Sequence, residues 1–368
     1  MNSSTGILTI DLDAIQSNWK YINSLLVDGA ECAAVVKANA YSVGAVKVAE
    51  CLSKVGCKHF YLATLEEASE LREVLSSDAN IYVLGGAKAG TESVFVDLNL
   101  IPVLYSLEAL NHWLDFCVLS NKPLPCAIKL DTGMTRFGLS AADFDIFLAV
   151  TPKLSLFNPI LLMSHLACAD EHDHPLNNVQ LNKFKSAIAR IKVHFPRIKT
   201  SLANSSGTFL SEDYHFDMVR IGAGLYGINP QPPKLNPLKQ VINLKLPILQ
   251  IRDIETEVDV GYGATVHIGI GQRLAVVAGG YADGIHRTLG HQPKGQLDGN
   301  CVNAVGRISM DSCIFNISSC SGSRPQYIEV INDSLTIDAI ARENKSLGYE
   351  VLTSLGRRYK RQYLLTGK

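Results

Sequence analysis

Short apolar runs rich in β-branched residues alternate along the first 230 residues with stretches whose apolar positions recur every three or four residues. The runs Ile7 to Asp11, Ala33 to Val36, His59 to Ala63, Ile81 to Leu84, Ile101 to Tyr105, Cys126 to Leu130, Pro159 to Ser164, Thr200 to Ala203 and Met218 to Ile221 predict strands. Between them, Asp13 is placed to cap a helix with Ile15, Trp19, Ile22 and Leu26 on one face. Val46, Ala49 and Leu52 mark a second helix, and Thr64 with Glu67 forms a capping box that opens a third.

Counted from the strand before Lys37, about eight strands with helical or loop segments between them have the arithmetic of a (β/α)8 barrel. An open doubly wound sheet is the alternative. The polar residues favour the barrel: Lys37, Asp131, His165, Asn204, Ser205 and Arg220 fall at or just past strand C-terminal ends, where such a barrel builds its active site. After Tyr226 the texture changes. Asn229, Pro230, Pro232, Pro233 and Pro237 read as a linker, and Leu244 to Ile251, Leu274 to Ala278, Val302 to Val305 and Ile314 to Ile317 read as short strands. The expected architecture is therefore α/β, with an N-terminal TIM-type barrel over 1–230 and a C-terminal mostly-β domain over 231–368.

Composition narrows the partners. A net charge of −1 over 368 residues gives no electrostatic footprint for nucleic acid or a membrane surface. No apolar run reaches the roughly 18 residues of a membrane span, and Met1 to Gly6 lacks the basic and apolar parts of a signal peptide. The nine cysteines are scattered and form no C-x-x-C pair, which suits free thiols in a reducing cytoplasm. Asp170, Glu171, His172, Asp173 and His174 have no fixed spacing on a framework and read as a solvated loop; no metal site is expected.

A lysine at the exit of a buried strand is poorly solvated, which favours its neutral, nucleophilic form. Lys37 alone would more often snorkel to water. The loops after the last two barrel strands, Asn204-Ser205-Ser206-Gly207 and Gly222-Ala223-Gly224, offer small residues and a hydroxyl to a phosphate, although a lone Gly-x-Gly is more often a tight turn. Together on one rim they suggest pyridoxal phosphate held as a Schiff base.

Lys37-Ala38-Asn39-Ala40-Tyr41 after an apolar strand resembles the cofactor-lysine signature of the alanine racemases, the barrel-type pyridoxal-phosphate enzymes. Asp131 to Gly138, Met163 to Ala167, Ala203 to Gly207, Arg220 to Gly222, Val260 to Gly263, Gly280 to Gly284 and Gly306 to Asp311 resemble further family motifs, in family order. The resemblance runs from Ile7 to the Arg357 region.

It implies an alanine racemase that interconverts L- and D-alanine by a two-base mechanism, supplying D-alanine for peptidoglycan or serving alanine catabolism. Lys37 is implied as the base for the D-isomer. Tyr262 is implied for the L-isomer, reaching in from the other subunit of a homodimer, with help from His165 and nearby arginines. Arg220 is expected against the pyridine nitrogen. Arg136 is expected to orient the phenolic oxygen and the substrate carboxylate, and Met310 to meet that carboxylate through its backbone N–H. Tyr41, Ser205, Gly222 and Ala223 are implied at the phosphate, with His165 and Asn204 also at the cofactor. Lys129 matches a lysine that can be carbamylated. Asp170, Tyr281, Arg307, Asp311 and Arg357 are implied at the entrance, where Arg357 departs from a tyrosine seen in several members. Ser42-Val43-Gly44 departs from the frequent Gly-His-Gly. A broader amino-acid racemase and a pyridoxal-phosphate decarboxylase are the rival enzymes; the Tyr262 motif favours racemisation. A single-domain pyridoxal-phosphate carrier protein is the rival outside enzymes and lacks the β domain.

Overall fold

The computed structural model describes residues 5–150, 155–286, 293–320 and 325–366, so most of the Met1 to Gly6 stretch read above lies outside the described residues. The chain forms two compact units: residues 15–239, and residues 1–14 with 240–368. No helix among the described residues is long and apolar enough to cross a membrane.

The chain begins with β1 (Ile7–Asp11). The 15–239 unit then carries eight parallel strands: β2 (Glu31–Val35), β3 (His59–Leu62), β4 (Asn80–Val83), β5 (Leu100–Leu104), β6 (Pro125–Lys129), β7 (Asn158–Met163), β8 (Lys199–Ser201) and β9 (Met218–Ile221). Their order is β8-β7-β6-β5-β4-β3-β2-β9. The ring closes where Asp217 N–H donates to the Thr200 carbonyl (3.1 Å) and Arg220 N–H to that of Ala203 (3.0 Å). The expected (β/α)8 barrel is present, each strand within two residues of its sequence-based bounds.

Successive strand residues point to opposite faces, so the barrel interior is read every second residue. Ala33, Tyr61, Tyr82, Ile101, Val103, Ala127, Leu161, Met163 and Met218 fill it, and Tyr61 stacks on Tyr82 with ring centroids 4.5 Å apart. This interior is a packed core rather than a channel.

In the other unit, β10 (Ile242–Asp253), β11 (Val258–Val260), β12 (Val266–Ile268), β13 (Arg273–Ala278), β14 (Lys294–Leu297), β15 (Asn300–Val305), β16 (Ser312–Asn316), β17 (Tyr327–Ile331) and β18 (Lys360–Leu364) follow in order. The large sheet runs β13-β16-β15-β14-β17-β10-β1-β18, and β10 also pairs with β13, which curls six strands into a closed ring. β11 and β12 form a separate hairpin.

Two readings near the N-terminus need correction. β1 pairs antiparallel with β10 and parallel with β18, so the N-terminal strand lies in the β unit, although 1–230 was read as barrel. Its five residues carry no mark of which sheet they join, because pairing partners are set by topology. The cap of the helix Leu12–Ser24 is Asp11, whose Oδ1 accepts from Ala14 N–H at 2.8 Å. Asp13 instead accepts from the backbone N–H and hydroxyl of Thr366 (2.7 and 2.8 Å).

Candidate active site

The period-2 rule carries the barrel's interior face past its apolar layer. Beyond Ala33 and Val35 it reaches Lys37, beyond Ala127 it reaches Lys129, beyond Met163 it reaches His165, and beyond Met218 it reaches Arg220. Four basic side chains thus form the next layer, at the strands' C-terminal end. Arg220 sits within β9 rather than past it, in register with Ala33 of β2.

Arg220 is 4% exposed and donates to the Ser164 carbonyl (2.5 Å), the Ser201 hydroxyl (2.5 Å), the Leu202 carbonyl (3.2 Å) and His165 Nδ1 (3.4 Å). None of these partners is a carboxylate, and burial lowers the guanidinium to about 10. Burial, followed by Arg220, Lys129, Arg136 and Lys37, drives the proton off His165. The imidazole is therefore neutral, with Nδ1 accepting, so any help it gives a tyrosine is by hydrogen bonding and not by charge. Lys129, 8% exposed with its Nζ 5.5 Å from the Phe137 ring centroid, is lowered to about 8 by burial, then Arg220, Arg136 and Lys37. Burial and then Arg136 lower the Lys37 amine, with Glu67 acting in the opposite sense.

The residues after Lys37 depart from ordinary geometry. Ala38, Asn39, Ala40, Tyr41 and Ser42 all have φ between +52° and +68°, a left-handed turn built without glycine. Such backbone costs roughly 1–2 kcal/mol per residue. The sequence gives no sign of it, since only Asn39 favours this region and Ala disfavours it. Its effect is to bury Tyr41 against Tyr226, ring centroids 4.8 Å apart, with its hydroxyl over Gly222. A Cβ at Gly222 would lie 2.6 Å from that hydroxyl. Ser205 Oγ accepts from the N–H groups of Gly222 (3.0 Å) and Gly224 (3.1 Å), which leaves its own proton to donate. Asn204 Oδ1 takes Gly207 N–H (2.8 Å), shaping the adjacent loop. Tyr41, Asn204, Ser205, Gly222 and Ala223 are therefore brought together on one side of the turn.

Arg136 belongs to the loop after β6. Asp131 Oδ1 gathers the N–H groups of Gly133, Met134 and Thr135 (2.9, 3.0 and 3.1 Å), and the loop returns through Leu139 N–H to the Lys129 carbonyl (2.8 Å). A buried residue missed in the sequence ties this loop to the end of β7. Gln180, fully buried, donates to Thr132 Oγ1 (3.1 Å) and the His165 carbonyl (2.9 Å) and accepts from Ala167 N–H (2.9 Å). Its signal was a polar residue in the apolar register of the helix Pro175–Ile191, with Leu181, Phe184 and Ala187.

The remaining expected residues, apart from Asp170, lie in the β unit. Tyr262 tips the β11–β12 hairpin, 68% exposed, between Gly261 (φ +75°) and Gly263 (φ +76°). Arg307 packs on that hairpin, 3.0 Å from where a Cβ on Gly263 would lie. Met310, 53% exposed, is fixed by its carbonyl accepting from Ala282 N–H (3.1 Å), beside Tyr281, whose N–H meets the Ser309 carbonyl (3.1 Å). Asp311 takes a bond from Arg358 (2.6 Å), which also holds buried Asp283. Arg358 makes these bonds, and its neighbour Arg357, like it, is exposed. Asp170 lies in an exposed turn of the barrel unit. In that stretch His172 pairs with Asp173 (2.8 Å) and His174 caps the helix Pro175–Ile191.

Three features suit a pyridine aldehyde that carries a phosphate. They are an amine whose ammonium form is disfavoured, a buried guanidinium facing no carboxylate, and a cradle of small residues with two hydroxyls.

Residues 10–230 match the family "Alanine racemase, N-terminal domain" and residues 241–363 "Alanine racemase, C-terminal domain". The chain is 44% identical to an alanine racemase of Rhodospirillum rubrum over 98% of its length and 96% of the relative's. It is 38% identical to a catabolic alanine racemase of Agrobacterium fabrum, over 99% and 93%. A crystal structure of alanine racemase from Bartonella henselae with covalently bound pyridoxal phosphate superposes with a TM-score of 0.92 at 35% identity, over 98% of this chain and all of that one.

Proposed function

The chain belongs to the alanine racemase family, and on that premise we propose that it interconverts L-alanine and D-alanine with pyridoxal 5′-phosphate as cofactor. The observation that carries this reading is the placement of Lys37 in the basic layer of the barrel, on the same rim as the Ser205–Gly222 cradle. The cofactor, when bound, supplies a carbonyl for amine condensation and a conjugated ring that withdraws electrons from the substrate's α-carbon.

The chain's own groups do the rest. Lys37 Nζ removes or returns the α-proton on the D side and Tyr262 Oη on the L side. Tyr41, Asn204, Ser205, Gly222 and Ala223 bind the phosphate end. Arg220, still a cation at neutral pH, would donate to the pyridine nitrogen and leave that nitrogen without a proton of its own, with His165 beside it. Arg136 and the Met310 N–H bind the substrate carboxylate. Lys129, with an amine lowered to about 8, is chemically suited to carbamylation, which would set an anion beside Arg136. Asp170, Tyr281, Arg307, Asp311 and Arg357 line the entrance. We place the active chain in a cytoplasmic homodimer whose β unit lends Tyr262 to the partner subunit; exposure of Tyr262 and Met310 supports a covered role for that surface. D-alanine supply for peptidoglycan or alanine catabolism are the routes it would serve.

The test is borohydride reduction of the purified protein followed by peptide mapping, with alanine racemisation followed in D2O. The modified residue should be Lys37, Lys37→Ala should lose both label and turnover, and Tyr262→Phe should chiefly slow α-proton exchange from L-alanine. A label on another lysine, or equal slowing of exchange from both isomers, would contradict these assignments.

A further inference from the structure

Glu67 sits at the third position of the helix Leu65–Arg72, where Thr64 Oγ1 accepts its N–H at 3.3 Å. A capping box would return its carboxylate to the Thr64 N–H. Here the carboxylate goes elsewhere. Oε2 accepts from Ala63 N–H (2.9 Å), at the end of β3, and Oε1 from Ala38 N–H (2.6 Å), the residue after Lys37.

That second bond meets a specific need. Within the left-handed turn, Ala40 N–H reaches the Val36 carbonyl (2.8 Å), Ser42 N–H that of Ala38 (2.9 Å) and Gly44 N–H that of Asn39 (2.9 Å). Ala38 opens the turn, and its N–H, like the first donors of any helix, has no carbonyl within it to meet. A carboxylate from a neighbouring strand–helix junction takes that donor, and a hydrogen bond to a charged acceptor is the stronger kind.

We propose that Glu67 is a positioning residue for Lys37, its carboxylate clamping the start of the left-handed turn to the end of β3 so that the lysine keeps one direction. This rests on the reading of Lys37 as the cofactor lysine. A second consequence follows from charge. Two charged groups act on the amine in opposite senses, the Arg136 cation and the Glu67 anion. Glu67 therefore offsets the Arg136 cation and preserves the amine's capacity to carry a proton, which a lysine acting as acid as well as base requires.

The test uses the full-length chain with three substitutions. Glu67→Gln removes the charge and turns an N–H donor toward one of the two backbone donors. Glu67→Asp keeps the charge but shortens the reach, and Thr64→Ala removes the helix cap alone. After the cofactor is released with hydroxylamine, the pH midpoint for acetylation of Lys37 is read by mass spectrometry. Turnover and KM are measured on the holoenzymes. Glu67→Gln should lower the midpoint by about one pH unit and reduce kcat at least about tenfold with KM little changed. Glu67→Asp should lose turnover with its midpoint within about half a unit of the parent's. Thr64→Ala should move neither. Should Glu67→Gln fail to fold, Glu67→Asp against Thr64→Ala carries the same contrast. A Glu67→Asp enzyme with parental turnover, or a Glu67→Gln chain with parental midpoint and turnover, would overturn the proposal. Borohydride label appearing on a residue other than Lys37 would instead remove the reading beneath it.

Discussion

Gly222→Ala tests the phosphate cradle with the least disturbance elsewhere. The backbone at Gly222 has φ −121°, so alanine brings no left-handed strain and the effect comes from the added methyl. That methyl would lie 2.6 Å from the Tyr41 hydroxyl and 3.3 Å from Val35 Cβ. To restore an ordinary contact of about 3.4 Å the hydroxyl must retreat by about 0.8 Å, which stretches a phosphate hydrogen bond from near 2.7 Å to about 3.5 Å and in effect breaks it. Tyr226 behind the ring limits any easier adjustment. A hydrogen bond to a charged group contributes about 1.5–3 kcal/mol, so affinity for pyridoxal phosphate should fall about 10- to 150-fold. The assay is a fluorescence titration of the cofactor-free chain with pyridoxal phosphate and, in parallel, with pyridoxal. Because pyridoxal has no phosphate, its affinity should change less than about threefold. Equal losses for both ligands, or none for the phosphate, would refute a phosphate site beneath Tyr41.

Lys129→Met should stabilise the cofactor-free chain by up to about 3 kcal/mol at pH 7, from a lysine lowered from 10.5 to about 8. Below pH 8 the lysine is charged folded and unfolded, and the folded state bears the whole cost of burial. Between 8 and 10.5 the unfolded chain binds more protons, so the parent gains stability with pH and the gap closes. Urea unfolding at pH 7 and pH 9.5 in CO2-free buffer reads this, and an unchanged gap would contradict it. Ser42→Gly relieves a left-handed residue (φ +68°) and should raise stability by about 0.5–1 kcal/mol after glycine's greater unfolded freedom is counted, seen as a higher urea midpoint. A lower midpoint would show that the serine side chain matters more than the backbone.

Much of the fold was legible because it rests on local signals. Apolar runs of four to six residues at regular spacing identified the eight barrel strands, and period-2 alternation is enough to place Lys37, Lys129, His165 and Arg220 in one layer once the strands are known to close. The ordered motifs identified the family before any geometry was available.

Other features depend on contacts between segments distant in sequence, which no local pattern encodes. β1 reads like any other strand, and only its partners β10 and β18 assign it to the β unit. Glu67 reads as half of a capping box, and Gln180 as a polar interruption of a helix face. Their roles appear when Ala38 lies 29 residues from Glu67 in sequence but 2.6 Å from it in space, and when Gln180 meets Thr132 across 48 residues. The left-handed turn after Lys37 runs against the preferences of its own alanines and is held by such distant partners. The sequence by itself determined which elements form and which chemistry the chain carries. The tertiary structure decided the direction of each reactive group, its charge state and its neighbours, because burial and hydrogen bonding exist only after the segments meet.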